Sequence, residues 1–345
     1  MVNVLVTGGA GFLGSRLARD LLATGSLEVT GSGAQPLDRL AIADQAAVPA
    51  DLAADPRVTA VQGDLGGLLS PRTGPPGGPG VLAGIDVIFH LAAAVSGECE
   101  ADFDLGMRAN LAATEALLAC VRALGTSPVV VFSSSFAVFG VCGEHPLPAV
   151  LDDHTLPTPQ SSYGTQKVIG EQLVADYTRK GFLRGRAVRL ATVSVRPGRP
   201  NAAASGFASG IIREPLAGQR AICPVDPGTE VALASPAKAI AALLCAATSS
   251  GQAWGGQTAL TMPALTITVA DMAAALTRVA GPEVSALIDW IPDPVVERIV
   301  TTWPARFRGD RAARLGLTPD PDFDSVIRAH LAESRAQRVT GSAGD

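Results

Sequence analysis

Two side chains in this sequence are spaced to move a proton together. Tyr163 and Lys167, in the run Tyr163-Gly-Thr-Gln-Lys167, fall within a stretch that reads as an amphipathic helix from Ser162 to Arg179. At that spacing both lie on one helical face. A phenol with a pKa of about 10 is a poor base at neutral pH. A neighbouring ammonium lowers it toward the working range and makes it a general base for a hydroxyl proton. The bland alternative is a surface pair. It is weakened by composition, because the chain has only two tyrosines and three lysines (Lys167, Lys180, Lys238) and is otherwise rich in arginine. Upstream, Phe132-Ser-Ser-Ser135 ends an apolar run from Val129. The Ser135 hydroxyl could reach the same substrate oxygen, although alone it reads equally as a strand-end cap.

A second constellation is the glycine turn Val6-Thr7-Gly8-Gly9-Ala10-Gly11-Phe12-Leu13-Gly14, between a predicted strand (Val2 to Val6) and a predicted helix (about Gly11 to Ala23). It satisfies GxGxxG from Gly9 and GxxGxxG from Gly8. Glycines there allow a tight turn, close approach of a pyrophosphate, and close helix–strand packing. The helix N-terminus then offers unpaired N–H groups to the phosphates. Asp44 ends the predicted second strand (Arg39 to Ala43) and is placed to take the adenosine ribose hydroxyls, although it follows Gly14 at longer range than usual. No arginine sits beside Asp44 to accept a 2′-phosphate, which favours NAD over NADP. Asp64-Leu65, after the predicted third strand (Val58 to Gln62), could hold the adenine or simply end a strand.

The elements that position these groups read as βαβ units. Further strands are predicted at Val87 to Leu91, Val129 to Ser133 and Ala187 to Val195, with a helix at Ala109 to Leu124. Alternation of short apolar runs with helical patterns predicts an α/β, Rossmann-type, doubly wound parallel sheet. The expected division is a dinucleotide domain over 1–195, with returns from about 230 to 262, and a smaller substrate lobe over 196–335. Gly25 to Asp38 and the Pro/Gly-rich stretch 70–80 read as loops, and 336–345 as a disordered tail.

Composition narrows the function classes. The 345 residues are 47% hydrophobic and 17% charged with a net charge of −5, which suits a large folded core and offers no basic face for nucleic acid. The longest apolar stretches, such as 239–247, fall short of the roughly 18 residues a membrane span needs. The chain opens without a signal-peptide pattern. Its five cysteines (Cys99, Cys120, Cys142, Cys223, Cys245) have no CxxC spacing and its four histidines no HxxxH pair. The expectation is a cytoplasmic protein with reduced thiols and no metal.

GGAGFLG (8–14), Asp64-Leu65, His90-Leu-Ala-Ala93, Asn110, SSSFAVFG (133–140) and YGTQK (163–167) resemble, in order and spacing, the extended short-chain dehydrogenase/reductases, or NAD-dependent epimerase/dehydratase superfamily, over residues 1 to about 200. Within it, RPGRPNAAAS (196–205), GFASGIIREPLAGQ (206–219) and WPARF (303–307) are similar to the D-erythronate dehydrogenases. The resemblance implies NAD bound by Gly8, Gly11, Phe12, Leu13 and Gly14, with Leu91, Ala92 and Ala93 along it and Ala191, Thr192 and Val193 flanking the nicotinamide. It implies Tyr163 as base, Lys167 on the nicotinamide ribose and lowering the phenol pKa, Ser135 orienting the substrate hydroxyl, and Asn110 in a proton relay beside the lysine. Phe139 departs from the tyrosine that many sugar-nucleotide epimerases carry in this element.

The implied reaction is oxidation of the C2 hydroxyl of D-erythronate, or a close four-carbon aldonate, to the 2-oxo acid, with hydride passing to nicotinamide C4. Arg199 and Asn201 are the candidates for the substrate carboxylate and distal hydroxyls, with Arg213 and Arg306 next. The expected partner is a small sugar acid, and the expected assembly a homodimer or other homo-oligomer. Two alternatives stay open: a nucleotide-sugar epimerase or dehydratase that retains NAD, and a non-enzymatic NAD(H)-sensing protein.

Overall fold

A computed structural model describes residues 1–69, 80–143, 146–198 and 204–341. Thirteen strands are found among them: β1 (Val2–Thr7), β2 (Ser26–Glu28), β3 (Ala34–Asp44), β4 (Val58–Gln62), β5 (Val87–His90), β6 (Val129–Ser135), β7 (Arg184–Leu190), β8 (Thr192–Val193), β9 (Ala221–Cys223), β10 (Glu230–Ala234), β11 (Leu260–Thr261), β12 (Leu265–Thr268) and β13 (Ile288–Trp290). The central sheet runs β11-β7-β6-β5-β1-β3, with β4 on the C-terminal half of β3 and β2 on its N-terminal end. All its ladders are parallel except β2–β3. It is a Rossmann-type α/β sheet.

The short apolar runs explain the layering. Successive side chains on a strand point to opposite faces. Val4, Val6, Val87, Phe89, Val129 and Val131 therefore pack on one side, against the helices Phe12–Thr24 and Pro236–Thr248. Leu5, Ile88, Val130 and Phe132 pack on the other, against Ala113–Leu124 and Ser162–Arg179. A sheet covered on both faces needs strands that are apolar throughout. A third apolar cluster, from Val195 to Ile327, lies beneath the helices Phe207–Leu216 and Val269–Ala280. No helix among the described residues is long and apolar enough to cross a membrane.

Four expectations need correction. Residues 25–38 are not one loop: β2 and the start of β3 form a hairpin whose turn uses left-handed Thr30, Gly31 and Gly33. The predicted strand Ala187 to Val195 is two strands. β7 stays in the central sheet, whereas β8 leaves it to pair with β10. The predicted helix at Ala109 is entered earlier, through a widened turn over Met107–Ala112. The final helix, Phe323–Gly341, runs on where a disordered tail was expected from 336; residues 342–345 lie outside the described residues.

Candidate active site

The sheet brings the two constellations to one edge, where the C-terminal ends of β1, β5 and β6 face a cavity of about 630 Å³. Gly8, Gly11, Phe12, Leu13 and Gly14 line one end of it. Gly8 has φ +68°, and a Cβ there would stand 2.6 Å from the Ala92 nitrogen. A Cβ on Gly14 would strike the Gly8 carbonyl. This turn therefore closes only with glycine. The helix it opens has no side-chain cap and no acidic residue in its first turn, so its N–H groups and positive dipole end are left for an anion. Asp44 lies beside this end: its carboxylate accepts from the Ala10 and Ala46 amides, both at 2.9 Å. These residues fit a dinucleotide pyrophosphate and ribose.

Leu91, Ala93, Ser133, Ser135, Tyr163, Lys167 and Ala191-Thr192-Val193 line the same cavity. Ser161 caps the Ser162–Arg179 helix by accepting from the Gly164 amide, which sets Tyr163 in its first turn. The Tyr163 phenol shares this lining with Ser135. Burial pushes the phenol up to about 12, with the Ser135 hydrogen bond and the Arg196 charge pulling it back. Lys167 is buried, and its Nζ donates to the Ser133 carbonyl at 2.8 Å. Burial brings its ammonium down to about 8, against the pull of Glu171. Lys167 Nζ lies 5.5 Å from the phenol ring centroid while donating to Ser133, and Arg196 adds a further cation whose charge favours the phenolate.

Other predicted residues fall outside the cavity wall. Ala92 backs the glycine turn. Asp64 caps the short helix Leu65–Leu68 by accepting from the Gly67 amide, and also accepts from Gln45; Leu65 is buried. Asn110 is buried, and its side chain braces the loop after β5. Its Oδ1 accepts from the Ala94 amide at 2.7 Å, and its Nδ2 donates to the Ala94 carbonyl and to Gln166. Its Oδ1 and Nδ2 bonds hold the loop after β5 against the Ser162–Arg179 helix. Arg199 and Asn201 lie outside the described residues. Arg213 donates to the Arg196 carbonyl and pairs with Glu214, while Arg306 pairs with Glu230.

Two residues carry more than the sequence reading gave them. His90, buried at the end of β5, joins Thr7 (2.7 Å) and Thr114 (2.9 Å). Burial and the Lys167 charge hold it down at about 3, so it is neutral. Because Thr114 donates to the Asn110 carbonyl, it accepts from His90, which fixes the ring proton on Nε2. The other residue is Arg196, which lines the cavity on the side of Tyr163. Arginines 196 and 213 look alike in sequence, and it is the fold that sets the first in the cavity lining.

Residues 4–233 match the NAD dependent epimerase/dehydratase family. The chain is 50% identical over 340 residues to a D-erythronate dehydrogenase of Cupriavidus necator, covering 96% of this chain and 99% of that one. It is 38% identical over 336 residues to a D-erythronate dehydrogenase of Haemophilus influenzae, with 96% and 99% covered. Among solved structures, a nucleoside-diphosphate-sugar epimerase from Agrobacterium tumefaciens superposes with a TM-score of 0.87 at 39% identity, over 97% of this chain and 95% of that one. A glycine cradle opening into a cavity that holds a Ser–Tyr–Lys set, together with matches of this extent, means that the chain belongs to the NAD dependent epimerase/dehydratase family and is an NAD-dependent oxidoreductase.

Proposed function

We propose that this chain oxidises the C2 hydroxyl of D-erythronate, or of a close four-carbon aldonate, to the 2-oxo acid. The observation that carries the reading is the convergence of Ser135, Tyr163 and Lys167 on the same cavity as the glycine turn. The names of the two full-length relatives support the substrate class. When bound, NAD supplies the acceptor for the hydride that leaves the carbinol carbon.

The chain's own residues supply the rest. The glycine turn and first helix hold the phosphates, and Asp44 the adenosine ribose. Lys167 holds the nicotinamide ribose. The Ser135 oxygen accepts from the Ala137 amide at 3.1 Å, which leaves its one proton to donate to the phenol oxygen in the free site and to the carbinol oxygen once substrate is bound. Tyr163 then takes the substrate hydroxyl proton while Ser135 fixes the carbinol oxygen. Neighbouring walls from Val296, Ile299 and Trp303 are apolar and exclude water from the charges.

A second reading, a nucleotide-sugar epimerase that retains NAD and shows no net reduction, is favoured by the Agrobacterium relative's name. Absorbance at the NADH band separates them. Steady NADH formation with D-erythronate supports the dehydrogenase, and its absence across a panel of four-carbon aldonates rejects it.

A further inference from the structure

We propose that Arg196 binds the anionic group of the substrate, a carboxylate on the carbon next to the reacting carbinol, so that the site selects 2-hydroxy acids over neutral polyols and esters. The inference rests on the dehydrogenase reading and adds the residue that confers its specificity. Arg196 lines the same cavity as Ser135, Tyr163 and Lys167. It follows β8 closely, and its backbone is held from both sides: its N–H donates to Ser209 Oγ at 3.0 Å and its carbonyl accepts from Arg213 at 2.7 Å. The side chain is half-buried, and its guanidinium reaches Ser205 Oγ at 3.2 Å.

Among the described residues no carboxylate pairs with Arg196. The neighbouring candidates are already satisfied, Arg213 by Glu214 and Arg306 by Glu230. A cation withdrawn from water without a counter-charge is costly to keep, and a guanidinium offers a planar fork that matches a carboxylate. Its charge is felt at the Tyr163 phenol. A carboxylate on Arg196 brings the rest of a small hydroxy acid into the cavity that Tyr163 and Ser135 also line.

The same arrangement links specificity to the base. Without substrate the Arg196 charge favours phenolate, whereas a bound carboxylate offsets that charge. Removing Arg196 should therefore move the ascending limb of the kcat/KM–pH profile to higher pH, and the kcat limb less.

The test compares wild type with Arg196→Gln and Arg196→Lys. Binding of D-erythronate to the NADH-loaded enzyme, a complex that cannot turn over, is measured by calorimetry, and NAD reduction is measured separately. The expected result is a rise of about 30-fold or more in both Kd and KM for Arg196→Gln. Arg196→Lys should recover part of this, NADH affinity should stay within about twofold, and methyl D-erythronate should bind wild type and Arg196→Gln equally weakly. Arg196→Gln binding erythronate within about threefold of wild type overturns the proposal, even if turnover upholds the dehydrogenase reading. Arg196-dependent binding without NAD reduction overturns that reading and leaves the carboxylate site standing. If Arg196→Gln loses NADH affinity, Arg196→Lys decides: retained preference for acid over ester supports the charge role, and equal affinity for acid and ester overturns it. No binding of erythronate by wild type overturns both.

Discussion

Tyr163 sits at about 12 because burial disfavours the phenolate, and each neighbour that favours the anion has a measurable share in restoring it. Tyr163→Phe removes the transferable proton and little else. Turnover should fall below about a tenth of wild type, with NAD affinity nearly unchanged in a fluorescence titration. A larger residual rate would mean that another group is the base. Ser135→Ala gives a directional result. The phenol acts only when deprotonated, so the oxidation rate rises with pH as the phenol ionises. Loss of a hydrogen bond that lowers its pKa moves that rise to higher pH, and an unmoved limb would detach Ser135 from the base. Lys167 works as a cation, and its ammonium titrates at about 8. Its contribution is therefore full below that pH and is lost as pH rises through it.

Around these residues the helix Ser162–Arg179 is locked to the sheet by a buried ion pair. Glu171 accepts from Arg189 Nε and Nη2 at 2.9 and 2.7 Å and from Ser134 at 2.5 Å, with side chains only 2% and 7% exposed. Glu171→Gln leaves Arg189 uncompensated, so a urea titration should show a loss of about 3–5 kcal/mol. A loss under about 1 kcal/mol would show that water reaches the pair. At the start of the same layer, His90 should stay neutral with its proton on Nε2 at pH 5, readable in nitrogen-15 shifts; an imidazolium there would break the Thr7–His90–Thr114 chain of hydrogen bonds. The catalytic helix and β4 were legible residue by residue, because apolar period and flanking polar residues agree over Ser162–Arg179 and Val58–Gln62. The β2–β3 hairpin was hidden by Gly31, Gly33 and Pro36, which signal a loop, while Leu27 alone buries the strand. The break between β7 and β8 was hidden because Ala187 to Val195 carries no glycine or proline to mark it; pairing with β10, distant in sequence, decides it. The bracing role of Asn110 was hidden for a similar reason: its partners at Ala94 and Gln166 come together only in the fold.

For the whole molecule, the sheet sets Asp44 against the glycine turn and Tyr163 in the cavity that this turn opens into, and on the proposed reading the first sets cofactor choice and the second the chemistry. The Asp44 carboxylate suits two ribose hydroxyls and repels a 2′-phosphate. NAD should therefore exceed NADP in kcat/KM by at least about tenfold, or roughly 1.4 kcal/mol; parity would mean that Asp44 does not meet the ribose. The central claim is net oxidation of a small 2-hydroxy acid at the Ser135–Tyr163–Lys167 site. Its most direct measurement is NADH formation by the purified protein given NAD and D-erythronate, with the product identified by mass spectrometry. The account expects stoichiometric NADH and the 2-oxo acid, both absent in Tyr163→Phe. No NADH from any four-carbon aldonate, with interconversion of a nucleotide sugar by the same preparation, would contradict it.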